Sequence, residues 1–239
     1  MYIIDVIIIL LILLCGVWGL KKGFIKSIVS LVGIVLVFII SYLMKDPIAE
    51  TLSLNLPFFR FAGKLRDATI LNVIIYQLIA FFIVFSILMV VYFIVVKVSG
   101  LIERLLKITF ILAIPSKIGG FIVGIFEGVV ISLIAIILLS SPLLGIEAIN
   151  DSGVKKLLFK VSPIVGTISN NTNKAIEEIY ELKDKFDNSS DKEDFNLSCL
   201  DVLLEHNVIG VRYSEKLVYS GKLHVNEDKA KAIIDKYKK

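Results

Sequence analysis

From Met1 to Met44 the chain is an almost unbroken apolar run. Its one sizeable interruption is "GLKKGFIKSIVSLVG" (Gly19 to Gly33), which places three lysines within six residues between nearly uncharged flanks. In hydrocarbon every backbone N–H and C=O must be paired within its own segment, and a helix that does this needs roughly 20 mostly apolar residues to cross a bilayer. The run therefore reads as two spanning helices joined by a tight basic turn. Two later stretches are also long enough, so the expected spans are Tyr2 to Leu20, Phe24 to Met44, Ile70 to Val98 and Ile118 to about Leu144. Composition agrees: 56% of the 239 residues are hydrophobic and 20% charged, and mean hydropathy is +0.85, too apolar for a soluble domain. The expected fold class is all-α: a polytopic membrane protein with four transmembrane helices (1–145) and a small, polar C-terminal helical extension (146–239).

The first span differs from a secretory signal, which begins with basic residues and ends at small ones, because its only early charge is Asp5. It is read as a retained helix. Cys15 and Cys199 cannot by themselves make a disulfide framework or a metal site. Up to Pro142 the chain carries 11 Lys+Arg against 6 Asp+Glu, and from Leu143 onward 15 against 16. Basic residues near helix ends stay on the cytoplasmic side. Lys21, Lys22 and Lys26 with Lys97, Arg104, Lys107 and Lys117 give seven on one side; Lys45, Arg60, Lys64, Arg66, Lys155, Lys156 and Lys160 give seven on the other. Charge density at the first turn breaks the tie and places both termini outside the cytoplasm.

The second connection, with Pro47, Pro57 and the rings Phe58, Phe59 and Phe61, reads as an interfacial segment or, less simply, a re-entrant loop. The third span, at ~43 Å for 29 residues, exceeds a hydrocarbon core of ~30 Å, so it must tilt or project. Asn72 and Gln77 within it are read as hydrogen-bonding to a neighbouring helix, and Tyr2 and Trp18 as interfacial anchors. In the tail, Val154, Leu157, Leu158 and Val161 share one face of a membrane-surface helix, and Ile176, Ile179, Lys183 and Phe186 line up on a solvated amphipathic one. "NSSDKEDFN" reads as a polar linker, Ser198 as an N-cap, Gly210 as a helix stop and Asn226 as a helix start. A strand around "GVRYSEKLVYSGKLHV" stays open.

Gly120, Gly124 and Gly128 recur every four residues and line one helix face, a surface for close backbone approach. Gly16, Gly19 and Gly23 are the matching small residues at the end of the first span. "GLKKGFIKS" and "GIFEGVVIS" share G-x-x-x-G-[FV]-[IV]-x-S, the mark of a possible duplicated hairpin that sets Glu127 where Lys22 sits. Asp5, Lys22 and Glu127 are the candidate intramembrane or interfacial charges. Asp5 is either an end-of-helix group or an ion-handling one, Glu127 is either near the midplane or interfacial, and a Lys22–Glu127 pair is expected.

The early Asp5, the basic turn before "GFIKSIVSLVG" and the glycine repeat opening the fourth span resemble the colicin V production protein (CvpA) family over about residues 1 to 145. The resemblance implies a small four-helix bacterial inner-membrane protein linked to colicin V production or export and to the cell envelope. It supplies no catalytic residues. Two departures stand out: relatives often have a basic residue at the place of Glu127, and the tail exceeds the family core. Some relatives carry a fused serine protease, and "NDSGV" around Ser152 has a faint nucleophile context. A chymotrypsin-like order needs His and Asp upstream, however, and His206 and His224 lie downstream, as solvated tail residues. With no Gly-Lys phosphate loop, H-E-x-x-H or paired-Cys pattern, the expectation is a non-enzyme without cofactor or metal. The lipid bilayer and a second copy or other membrane proteins are its expected partners, and nucleic acid is not. An oligomeric channel or transporter, or a scaffold presenting its tail, are the alternatives.

Overall fold

The computed structural model describes residues 2–61, 68–107, 110–139, 152–186 and 192–238, with side chains except at 2, 102–114, 161, 163–165, 167–169 and 184. Within these the chain is helical, with no strand: α1 (Tyr2–Lys22), α2 (Phe24–Asn55), a 3-10 turn (Thr69–Leu71), α3 (Asn72–Lys107), α4 (Phe110–Leu139), α5 (Gly153–Val161), α6 (Pro163–Phe186), α7 (Lys192–Glu205), α8 (Val211–Tyr219) and α9 (Glu227–Asp235). α1 to α4 each contain a stretch long and apolar enough to cross a membrane. The expected boundary at 145, the end of the fourth span at Leu144, Lys64 and Arg66, the core of the "NSSDKEDFN" linker and the Tyr2 side chain lie outside the described residues.

Two compact units interleave along the chain, the first formed by Met1–Ser41 with Phe85–Ser169 and the second by Tyr42–Val84 with Asn170–Lys239. In the first, α1 and α2 meet at a single residue. Gly23 has φ 86°, a left-handed value that favours glycine. Its N–H closes the last turn of α1 on Gly19 O (2.9 Å), and its carbonyl accepts the first bond of α2 from Ser27 N (3.1 Å). The orphan amide of Phe24 donates to Ser116 Oγ of α4 at 3.0 Å, which caps α2 from outside its own sequence.

The second unit shows why α2 outruns its expected end at Met44. Beyond that point α8 and the turn after it hold the helix: Tyr213 OH donates to Ala49 O (3.2 Å) and Ser53 Oγ (3.0 Å), and Lys216 pairs with Glu50. Lys222 Nζ donates to the terminal carbonyls of Ser53 (2.6 Å) and Leu56 (2.8 Å), favourable at the negative end of a helix. Phe58 and Phe59 pack on Tyr76 with ring centroids 6.1 and 5.6 Å away. Asn72 clamps Phe59, accepting from its N–H at 2.7 Å and donating to its carbonyl at 3.1 Å. Gln77 Nε2 donates to Asp46 Oδ1 (2.8 Å) and Val208 O (2.9 Å), and Ile70 N donates to Asn196 Oδ1 (3.2 Å).

The surplus length of α3 is thereby explained. Its 36 residues make about 54 Å. Val73, Ile74, Tyr76, Ala80, Phe81 and Val84 are buried, whereas the large exposed apolar residues run from Leu78 to Leu101. The N-terminal end of α3 is core of the second unit, and the remainder has the length of a bilayer.

The tail departs from expectation at several positions. Ser198 lies inside α7 and bonds back to Asp194 O at 2.9 Å, so it is not the N-cap. Gly210 precedes α8 as its N-cap, and the turn after α7 is made by Asn207 at φ 53°. The segment left open as a strand is α8. His206 is not solvated: its side chain is 15% exposed, with Nε2 3.0 Å from Glu178 Oε1. Asn226 caps α9, accepting from Lys229 N at 3.1 Å. Ile176 and Ile179 are fully buried, so that face of α6 is core. On α5, Leu158 packs with Ile8, Leu133 and Ile136, while Leu157 is 61% exposed. The packed face is Val154, Leu158 and Phe159.

Burial in this unit also sets its behaviour in alkali. The thiol of Cys199, fully buried, is pushed from 9.0 up to about 12, and burial raises the Tyr213 phenol from 10.0 to about 12. A raised folded value favours the protonated form. The stability it contributes is complete below pH 9 to 10 and falls as pH rises towards 12. Unfolding of the tail helices is expected in that window, checked by circular dichroism. Below it, Cys199 is expected to resist a water-soluble maleimide until denaturant is added, checked by mass spectrometry.

Candidate functional site

The first unit is organised by a seam of glycines between α1 and α4. A Cβ on Gly19 would collide with Gly120 O, one on Gly120 with Gly19 O, and one on Gly124 with Cys15 O. On Gly128 it would lie 2.8 Å from Ile12 Cα, and on Gly16 2.9 Å from the Phe121 ring. Gly23 joins the seam through its carbonyl carbon, 2.9 Å from a Cβ on Gly120. Backbone therefore touches backbone over about three turns, the geometry by which small residues substitute for hydrophobic driving force in lipid. The glycine repeat is used within the chain and offers no free face to a second copy.

Beside the seam each of the four long helices contributes one polar side chain to a single contact. Lys22 Nζ (α1) donates to Glu127 Oε1 (2.8 Å) and Oε2 (2.9 Å) of α4 and to Ser30 Oγ (3.0 Å) of α2. Ser30 Oγ donates to Glu127 Oε1 at 2.7 Å and lies 2.6 Å from Tyr92 OH of α3. Since the serine's one proton goes to the carboxylate, the tyrosine hydroxyl is the donor to Ser30. Gly33 allows this, because its bare Cα lets the Tyr92 ring lie where a Cβ would be 2.8 Å from it.

The Glu127 side chain is 6% exposed and that of Lys22 21%. Glu127 lies seven residues beyond Gly120, the level of the α1–α2 turn, or about 10 Å inward. It is neither at the mouth of the bundle nor at its centre, and Lys22 reaches in to meet it.

Asp5 belongs to a different contact at the other end of α1. Its Oδ1 accepts from Ser152 Oγ (2.5 Å) and from Val154 N (3.2 Å), and Ser152 Oγ in turn accepts from Lys155 N (3.0 Å). The carboxylate thus caps α5, where a negative charge complements the helix dipole. Ser152, with the faint nucleophile context, is the N-cap of α5. Asp5→Ala is expected to weaken this docking. The readout is faster amide exchange at residues 153–158 with α1 unchanged; equal protection in both proteins would refute the cap.

The two nine-residue motifs adopt different conformations: Gly19 to Ser27 breaks at Gly23, whereas Gly124 to Ser132 is continuous helix. Their serines nonetheless share one property, since Ser27 Oγ and Ser132 Oγ are buried without a hydrogen-bond partner among the described residues. Ser30, Gly33 and Tyr92 were missed from sequence. The spacing Ser27, Ser30, Gly33 marks a small-residue face on α2; nothing distinguishes Tyr92 from its aromatic neighbours. Among the described residues no cluster of His, Cys, Asp or Glu has the arrangement to hold a metal ion.

Four bilayer-length helices, a glycine seam and an internally paired charge define a small multi-pass membrane protein. The chain belongs to the colicin V production protein family, whose model, described as Colicin V production protein, matches residues 4–163. That match takes in the glycine seam, the Lys22–Ser30–Tyr92–Glu127 contact and the Asp5 cap. No curated protein and no solved structure matches the chain.

Proposed function

We propose that this protein is a non-enzymatic accessory of the bacterial inner membrane that supports production or export of colicin V-type toxin and upkeep of the envelope, presenting its second unit to partner proteins. Membership of the family supports the setting. The observation that carries the presenting role is the knitting of the second connection and tail into one folded body by Asn72, Gln77, Tyr213 and Lys222. The basic turn at Lys21, Lys22 and Lys26 supports a cytoplasmic position for that end of the bundle and hence both termini outside. The near balance of charge in the tail speaks against a nucleic-acid partner. Association with a second copy or another membrane protein would use surfaces other than the glycine seam.

The test is toxin release from colicin V-producing cells lacking this protein. Release is expected to fall, to return with the wild-type chain, and not to return with a chain whose exposed α7–α9 charges are reversed. Unchanged release on deletion would remove the proposal. A channel or transporter is the second reading, favoured by the buried Glu127 carboxylate. Ion flux through liposomes that disappears in Glu127→Gln would establish it in place of the first.

A further inference from the structure

At one end of the first unit three lysines have no partner among the described residues. Lys21 immediately precedes the Lys22–Gly23 turn, Lys117 follows the Ser116 that caps Phe24, and Lys97 lies one turn before Gly100, whose Cβ would meet Lys26 Nζ at 3.2 Å. These contacts gather the three lysines around the α1–α2 turn. All three are exposed, and none makes a hydrogen bond or ion pair with another described residue. Just inside them the surface becomes apolar and aromatic: Trp18 is 63% exposed, Phe24 43%, Ile94 59% and Ile118 57%.

Such a ring is built for the level of lipid headgroups. The lysine stems lie along apolar surface while the ammonium groups reach the phosphates, and an exposed indole prefers the same depth. A zwitterionic headgroup offers these cations a compensated charge; an anionic one offers a net negative phosphate. We propose that Lys21, Lys97 and Lys117 form a binding surface for anionic phospholipid in the leaflet at the α1–α2 turn. The surface rests on the chain being a membrane protein and is independent of any role in toxin export.

The test uses the full chain in bilayer nanodiscs of phosphatidylcholine mixed with phosphatidylglycerol, released into native mass spectrometry to count retained lipids. Phosphatidylglycerol is expected to be retained over phosphatidylcholine by about fivefold per lysine engaged, and Lys21→Gln/Lys97→Gln/Lys117→Gln to bring the two lipids to parity. Lys156→Gln/Lys160→Gln, on exposed lysines of α5, is expected to keep the preference. An unfolding midpoint equal to wild type shows that the triple variant is folded; should it drop, single variants are read instead, each lowering the preference by its own share. A preference that survives loss of the three lysines, or that disappears equally with the α5 pair, would overturn the proposal. So would its loss to inorganic phosphate at physiological concentration, since the site would then be one for free anion.

Discussion

Gly120→Val is expected to force α1 and α4 apart and to cost about 3 kcal/mol or more. Overpacking is tolerated where the obstructing atom belongs to a flexible side chain that can turn away. At Gly120 the obstructing atoms are Gly19 O and the Gly23 carbonyl carbon, so the whole helix must move. Moving it pulls Ser116 from the first amide of α2 and Glu127 from Lys22, and the loss spreads beyond one contact. A useful contrast is Gly166→Ala in the first turn of α6, where the added methyl meets Phe159 Cβ at an ordinary 3.4 Å and the gain in helix propensity is about 0.5 to 1 kcal/mol. Thermal unfolding in mild detergent compares the two. Equal midpoints for Gly120→Val and wild type would mean that the seam carries no packing energy.

The polar contact is expected to show the asymmetry of a buried ion pair. Lys22→Met leaves the Glu127 carboxylate among apolar helices with only Ser30 to bond it, a cost of about 3 to 5 kcal/mol. Glu127→Gln costs less, because a neutral amide still accepts from Lys22, and the partly exposed lysine can turn towards water. The double variant Lys22→Met/Glu127→Leu is expected to recover most of the stability lost in Lys22→Met, since an apolar pair replaces a charged one with no group left unpaired. Chemical unfolding of wild type, Lys22→Met, Glu127→Leu and the double variant closes the cycle. Strict additivity, with the double variant worse than either single one, would refute direct coupling.

Much of the membrane part is legible because the bilayer imposes one length and one pairing rule on anything that crosses it. Four apolar runs and a glycine every fourth residue are local patterns, and the Lys22–Glu127 pair, 105 residues apart, was suggested by laying one glycine motif over the other. What stayed hidden depends on distant partners. α2 passes Met44 and carries Pro47 to end at Asn55 because Tyr213 and Lys222, more than 160 residues later, take up its carbonyls. Ser30 has no visible assignment, as serines in apolar helices commonly bond to their own backbone, which is what Ser41 does at 2.7 Å from Val37 O. The α5 face was misjudged at Leu157 because periodicity cannot say which side of a short helix meets α1 and α4. His206 was read as solvated for want of any sign that Glu178 would cover it.

The single left-handed glycine between α1 and α2 also bears on biogenesis. A connection of one residue has no slack with which to park the first rod in lipid while the second is still being made. The two helices are therefore expected to insert as one hairpin, with Lys21, Lys22 and Lys26 together at its closed end. Lengthening that joint with a flexible insert is expected to let the rods enter one after the other.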